Sequence, residues 1–390
     1  MNSPITVEGW ADPAFNTCLD AFRSNFGQDG ELGAACAIYH NGEPVLDVWG
    51  GAATADGGQP WRRDTVAPVF SVTKGVAALC VLAQVDEGLI DLDAPVARYW
   101  PEFGEHGKDR VTVRQALGHR AGVPAISGAI TLENLADPAA MAARLGSEPP
   151  IFDPNTAHIY HPITIGWITS ELVRRVTGLS VGQWLRKHVA EPLQLNLQIG
   201  RLPADNSPVA RFMVPPERDS PELEADSLAA RAISLSGLME PRLSGLAKGM
   251  NDPRLQAVEL AGANGLADAR SLARLYSAVV TGAEGISLPS MACVRDARTP
   301  ISQGKQWMTD FTGPTWGAGL MLPWAVQPML GEGSFGHDGM GGALAFAHEP
   351  SGISFAYVRN RAGIANIADP LVYRVVGILA DKLGITIPTF

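Results

Sequence analysis

Both ends of this chain carry β-hairpin signals, and that constrains its fold more than any other feature. An apolar run at residues 32–39 is followed by His40-Asn41-Gly42-Glu43 and a second run at 44–49. Asn-Gly between two strand-like runs favours a tight turn, because such turns require positive φ at their central residues. The carboxyl end mirrors the pattern with runs at 343–347 and 353–358 around Glu349-Pro350-Ser351-Gly352, then a closing helix at about 370–383. Helical periodicity fills the interior at 72–87, 113–118, 139–145, 163–177, 181–189 and 271–281. The pattern predicts one antiparallel sheet built from both termini and a mostly helical lobe between them. Residues 1–70 and 178–390 are expected to form the α/β lobe, and 71–177 the helical one.

Residues 201–256 break the pattern. Pro203, Pro208, Pro215, Pro216, Pro221, Pro241 and Pro253 crowd this stretch, and prolines at that density interrupt helices and ladders alike. It reads as an irregular segment, either a cover over a site or a surface insertion. At 390 residues the chain is longer than one hydrophobic core usually supports. Its 30 basic and 40 acidic residues give a formal charge of −10 with no basic run, which argues against nucleic acid or an anionic membrane as partner. No stretch reaches the roughly 18–20 apolar residues of a membrane helix. The first fifteen residues lack the basic-then-apolar pattern of a secretory signal. Cys18, Cys36, Cys80 and Cys293 are far apart in sequence and read as reduced core thiols of a cytoplasmic protein.

The chemistry is concentrated at Ser71-Val72-Thr73-Lys74, where an apolar helix begins. A serine hydroxyl needs a neighbouring base to become a nucleophile. Residues three apart share a helix face, so Lys74 stands beside Ser71. The positive end of the helix dipole and burial both disfavour an ammonium there, so Lys74 can serve as a neutral base. A second candidate serine sits in Gly178-Leu179-Ser180-Val181-Gly182. A nucleophile elbow of that form needs a strand before it, whereas residues 163–176 are helical in pattern. Ser180 instead fits a capping box with Gln183, and Gly178 the C-cap of the preceding helix.

Two more segments complete a constellation. His158-Ile159-Tyr160-His161-Pro162 precedes the 163–177 helix, and a tyrosine there can pass a proton to a leaving group. Phe335-Gly336-His337-Asp338-Gly339-Met340-Gly341-Gly342 precedes the first carboxyl-terminal strand, with glycines that let backbone approach a substrate. Together with Ser-x-x-Lys, these segments resemble the serine β-lactamase and penicillin-binding protein superfamily, and most closely the class C β-lactamase-like esterases, the family VIII carboxylesterases. Residues 85–93, 117–122 and 316–320 also look like the family, so the resemblance spans about 30–360.

The resemblance implies a β-lactamase/transpeptidase-like fold of the α/β class with the site between the lobes. It implies Ser71 as nucleophile, Lys74 and Tyr160 as a coupled general base, and an oxyanion site made by the N–H groups of Ser71 and Met340. His337 and Gly339 stand in the substrate-binding third motif. No metal or cofactor is implied. Proline at 162 replaces the asparagine of the lactamase pattern and His337 replaces its lysine. Both changes weaken recognition of acidic amide substrates and favour a neutral ester with a small or medium acyl group. Trp307, Trp316 and Trp324 are candidates for an apolar wall. Hydrolysis of such esters is the expected activity. Acyl transfer, weak β-lactamase or peptidase activity, and a catalytically silent binding module stand as alternatives, and the oligomeric state is left open.

Overall fold

The computed structural model describes residues 5–27, 30–365 and 367–388. Its main sheet has nine strands: β1 (Val7–Ala11), β2 (Gly33–His40), β3 (Glu43–Gly51), β7 (Ser302–Lys305), β8 (Thr312–Trp316), β9 (Met321–Leu322), β10 (Ser334–Gly339), β11 (Ala343–His348) and β12 (Ile353–Arg359). The order is β1-β3-β2-β12-β11-β10-β9-β8-β7, antiparallel throughout. Strands β2 and β12 join the two ends of the chain along a register running from Ile353 opposite His40 to Arg359 opposite Ala34. Both expected hairpins are present, β2–β3 and β11–β12. A second, three-stranded sheet joins β4 (Ala67–Pro68), β6 (Leu266–Ala267) and β5 (Leu197–Gln198) just ahead of Ser71.

Alternation along the central strands decides what packs on each face. One face offers alanines, among them Ala35, Ala37, Ala345 and Ala356, and lies in the larger core with the helices Val72–Asp86 and Ala269–Thr281. The other face carries Ile38, Phe346, Phe355 and Tyr357 against the helices Asn16–Ser24 and Pro370–Leu383. Small side chains on the first face let those helices lie close to the strands. The helix Val72–Asp86 is buried on every side from Val72 to Gln84, as a helix apolar all round must be. It runs between strand β10 and the helix Thr164–Thr177. No helix among the described residues is long and apolar enough to cross a membrane.

Three expectations need correction. The glycine-rich third motif is itself strand β10, with its turn at 340–342. Glycine is depleted in strands, but here the missing side chains let neighbouring backbone close in. A Cβ at Gly339 would run into the Val69 carbonyl, two residues before Ser71. Next, segment 201–256 is not wholly irregular, since it holds the helices Leu228–Ile233, Leu243–Met250 and Pro253–Ala257. Its prolines sit outside or at the first turn, as Pro253 does, where no helical N–H is lost. Finally, the helix expected over 181–189 is α-helical for Val181–Leu185 and then widens into a π turn at Arg186–Ala190.

Ser180 does cap that helix. Its Oγ accepts from the Gln183 N–H at 3.3 Å, the Gln183 side chain accepts from the Ser180 N–H at 3.1 Å, and Ser180 also donates to Glu259 at 2.6 Å. Gly178 closes the preceding helix in the left-handed region at φ 76°. Ser180→Ala is therefore expected to keep wild-type kcat while losing about 1–2 kcal/mol of stability, measured by urea unfolding. Loss of kcat in a stably folded variant would return Ser180 to consideration as the nucleophile.

Candidate active site

Ser71 occupies the N-cap position of the helix Val72–Asp86, yet its side chain makes no capping bond. The hydroxyl is committed elsewhere. Phe70, just before it, is held at φ 47°, a region costly for a bulky residue and kept only where the surroundings enforce it. Those surroundings are evident: Thr73 Oγ1 donates to the Phe70 carbonyl at 2.5 Å and accepts from the Gly265 N–H at 2.8 Å, and the Val69 N–H donates to Gly265 O at 3.0 Å. The Phe70 ring packs edge-on against Phe212 at 4.8 Å. The turn before the serine is thus bolted to the segment around Gly265.

Lys74 Nζ and Tyr160 Oη each lie 2.9 Å from Ser71 Oγ. Lys74 is buried, with Nζ also 2.6 Å from Pro162 O and 2.5 Å from Gly262 O. Burial lowers its pKa to about 7, against a smaller opposing pull from the Asp338 carboxylate. A neutral amine has two N–H bonds and one lone pair. The two carbonyls take the N–H groups, which leaves the lone pair aimed at the serine hydroxyl. Tyr160 moves the opposite way: burial raises its phenol pKa far above the ordinary value, and the hydrogen bond to Ser71 only partly offsets this. At neutral pH the tyrosine is a proton donor, and once the lysine is deprotonated, above about pH 7, the proton order runs from Tyr160 to Ser71 to Lys74.

Gln306, His119 and Trp316, the last expected only as part of an apolar wall, hold the tyrosine in place. The Tyr160 N–H donates to Gln306 Oε1 at 2.7 Å, and its ring stacks on Trp316 with centroids 5.6 Å apart and 15° between planes. His119 lies 4.9 Å from the same ring. His119 Nδ1 accepts from the His161 N–H at 3.1 Å, while His161 Nε2 accepts from the Val123 N–H at 3.1 Å. Burial keeps both imidazoles neutral, lowering His161 to about 4. His119 belongs to a stretch already noted for its family resemblance, but one sequence could not reveal that a histidine 41 positions upstream would brace the tyrosine.

The third motif is arranged differently from expectation. His337 points away from the catalytic cavity, its ring buried beside Trp316 at 5.2 Å and its Nδ1–H donating to the Asp338 carbonyl at 2.6 Å. Burial lowers its pKa, so it carries no charge at neutral pH. The next residue, Asp338, lines the cavity instead, as strand alternation requires. Gly339 brings the strand end against Val69, and Met340 lines the cavity beside Ser71. The Gly363 N–H donates to Gly341 O at 3.0 Å and fixes this turn from below. Nearby, the fully buried Arg359 bridges Glu31 at 3.0 Å and Asp369 at 2.8 Å.

The cavity over Ser71 has a volume of about 310 Å³, within the range of small-molecule sites. Ile233, Leu246 and Met250 bring the 201–256 segment into its wall. Trp316 lines the cavity, Trp307 lines an adjoining groove, and Trp324 packs edge-on against Phe311. Among the described residues that line the cavity, Asp338 is the only charged one, and none is a lysine or arginine. No cluster of histidine, cysteine and carboxylate groups able to hold a metal occurs among the described residues.

The sequence pattern of the Beta-lactamase family matches residues 19–375. The chain belongs to that family. Within the beta-lactamase family it is 35% identical to "Esterase/beta-lactamase LipL" of Mycobacterium tuberculosis (strain ATCC 25618 / H37Rv) over 364 residues, 91% of this chain and 83% of that protein. A solved family VIII carboxylesterase superposes with a TM-score of 0.86 at 32% identity, covering 97% of this chain and all of that one. A penicillin-binding protein homologue from Caulobacter crescentus gives 0.84 at 34% identity over 97% of this chain and all of its own length. The β-lactamase/transpeptidase-like fold and the resemblance to family VIII carboxylesterases are therefore established.

Proposed function

We propose that the protein is a serine carboxylesterase of the family VIII type, hydrolysing neutral esters through an acyl-enzyme on Ser71. The observation that carries this reading is the pair of 2.9 Å contacts from Lys74 and Tyr160 to one serine hydroxyl that makes no capping bond. Lys74 takes the hydroxyl proton as Ser71 Oγ attacks the ester carbonyl. Two N–H groups, of Ser71 and Met340, receive the oxyanion; neither donates to a backbone carbonyl among the described residues. One such donor is worth about 3–4 kcal/mol of barrier. Tyr160 protonates the departing alkoxide, and the Lys74–Tyr160 pair relays the serine proton to replace the one given up. The first half-reaction thus releases alcohol and leaves the ester of Ser71. Water then attacks, loses a proton to the same pair, and releases the carboxylic acid with Ser71–OH restored. The four free thiols support a reducing compartment such as the cytoplasm.

Ester rather than β-lactam chemistry follows from charge. A β-lactam carries a carboxylate, and the described residues lining the cavity offer it no lysine or arginine, with the Asp338 carboxylate set among largely apolar walls. kcat/KM for p-nitrophenyl butyrate is expected to exceed that for nitrocefin, and the reverse order would replace the esterase reading with a lactamase one.

The pH dependence has a definite sign. Burial depresses the Lys74 pKa to about 7, so its amine is neutral above that pH and protonated below it. kcat/KM should climb with unit slope as pH rises through about 7 and then level off. A profile that falls as pH rises through this region would contradict Lys74 as base.

A further inference from the structure

A second apolar groove adjoins the catalytic cavity. It has a volume of about 390 Å³ and shares the walls Tyr160, Pro162, Ile233, Gln306 and Phe311 with the cavity over Ser71. Beyond them it is lined by Trp307 and Met308 on one side and by Leu228, Ala229 and Ala232 of the helix Leu228–Ile233 on the other, with no charged side chain among the described residues that line it. Met308 is 81% exposed and Phe311 47% exposed. Isolated exposed apolar residues are ordinary, but here two of them border one groove. Met308 is moreover held at φ 53°, a conformation that a non-glycine residue adopts only when its surroundings impose it.

The two spaces differ in which groups of the candidate active site they touch. Met340 and Phe70, next to the oxyanion site, line only the first cavity. Tyr160, whose hydroxyl serves the leaving oxygen, forms part of both. A leaving group protonated by Tyr160 must extend past that ring, and the space past it is the second groove.

We propose that this groove is the alcohol subsite, and that the enzyme's substrates are esters of apolar, ring-sized alcohols joined to a smaller acyl group. The proposal rests on the esterase reading and names its substrate class. An arylmethyl group fits the lining: Trp307 and Phe311 offer aromatic surface, Met308 an adaptable thioether, and Gln306 the polar atoms nearest the ester. By microscopic reversibility the same groove holds an apolar alcohol that attacks the acyl-enzyme. That alcohol gives its proton to the Lys74–Tyr160 pair, and Ser71–OH is regenerated as a new ester leaves.

The test uses two isomers, benzyl acetate and methyl phenylacetate, with methyl acetate as reference. They place the same ring on opposite sides of the ester, and their alcohols have similar acidity. Benzyl acetate is expected to have the highest kcat/KM, by roughly tenfold to a hundredfold, the scale on which an apolar pocket discriminates. Ala229→Trp fills the groove from an exposed helix position and should remove most of that advantage, lowering kcat/KM for benzyl acetate by a larger factor than for methyl acetate. Trp307→Ala, a second variant that removes a wall, should reduce it as well. Equal rates for the two isomers, a preference for methyl phenylacetate, or an advantage that survives both substitutions in folded protein would overturn the proposal. Hydrolysis of none of the three esters by a protein whose Ser71 also resists phosphonate would show that the esterase reading itself had failed. Titration of the Ser71→Ala protein with benzyl alcohol, followed by NMR, then judges the groove without turnover: shifts lost in the Ala229→Trp background support it, and no binding refutes it.

Discussion

Ser71→Ala is expected to yield a folded protein whose ester hydrolysis is reduced by about a millionfold in kcat, the scale on which nucleophile loss acts in serine hydrolases. The hydroxyl makes no capping bond, so its removal takes nothing from the start of the helix. It does take an acceptor from Tyr160 and a partner from Lys74. The lysine keeps its two carbonyl contacts, at Pro162 and Gly262, and so stays in position. Unfolding should therefore be close to wild type while turnover disappears. A folded Ser71→Ala protein retaining substantial activity would remove the foundation of the mechanism.

The second large effect belongs to the pair beside the serine. Lys74→Ala and Tyr160→Phe should each lower kcat by about 10²–10⁴-fold, the usual contribution of a positioned proton-transfer group. Their losses should not multiply. Lys74 receives the serine proton and Tyr160 delivers one to the leaving group, so either deletion interrupts the same relay. The double variant is expected to fall within about tenfold of the worse single variant, because groups acting as a unit are non-additive. Lys74→Ala also leaves the buried Gly262 carbonyl without its donor at about 1–3 kcal/mol, and the half-buried Pro162 carbonyl without one at less, so its unfolding midpoint must be measured beside its rate. Tyr160→Phe leaves the ring and its stacking on Trp316 in place and is the cleaner probe. A double variant showing the full product of two independent losses would mean that the groups work separately.

The sequence announced the parts of this site that local pattern controls. Ser-x-x-Lys at the start of an apolar run carries its own geometry, because three residues along a helix return to the same face. The hairpins were legible because turn residues and alternation sit next to each other in the chain, and Ser180 was separable from the nucleophile by its capping pattern. What local pattern could not reveal depends on contacts distant in sequence. The strand character of Ser334–Gly339 was hidden by glycines whose purpose is the close approach of Val69. The cavity-facing role of Asp338 and the inward turn of His337 follow from strand alternation, which is visible only once the segment is known to be a strand. His119 and Gln306 brace Tyr160 from loops far from it in sequence. The choice between Lys74 and Tyr160 as base depends on burial, which pushes the first pKa down and the second up. Prolines in 201–256 masked three helices because position within a helix, not frequency, decides whether a proline breaks it.

The most direct measurement is covalent labelling with a p-nitrophenyl alkylphosphonate, followed by intact-protein mass and peptide mapping. One phosphonyl group per chain is expected, carried on Ser71, with loss of esterase activity in step with labelling and no adduct on the Ser71→Ala protein. An adduct on Ser180 or elsewhere that tracks the loss of activity, or full inactivation with Ser71 unmodified, would contradict Ser71 as the nucleophile.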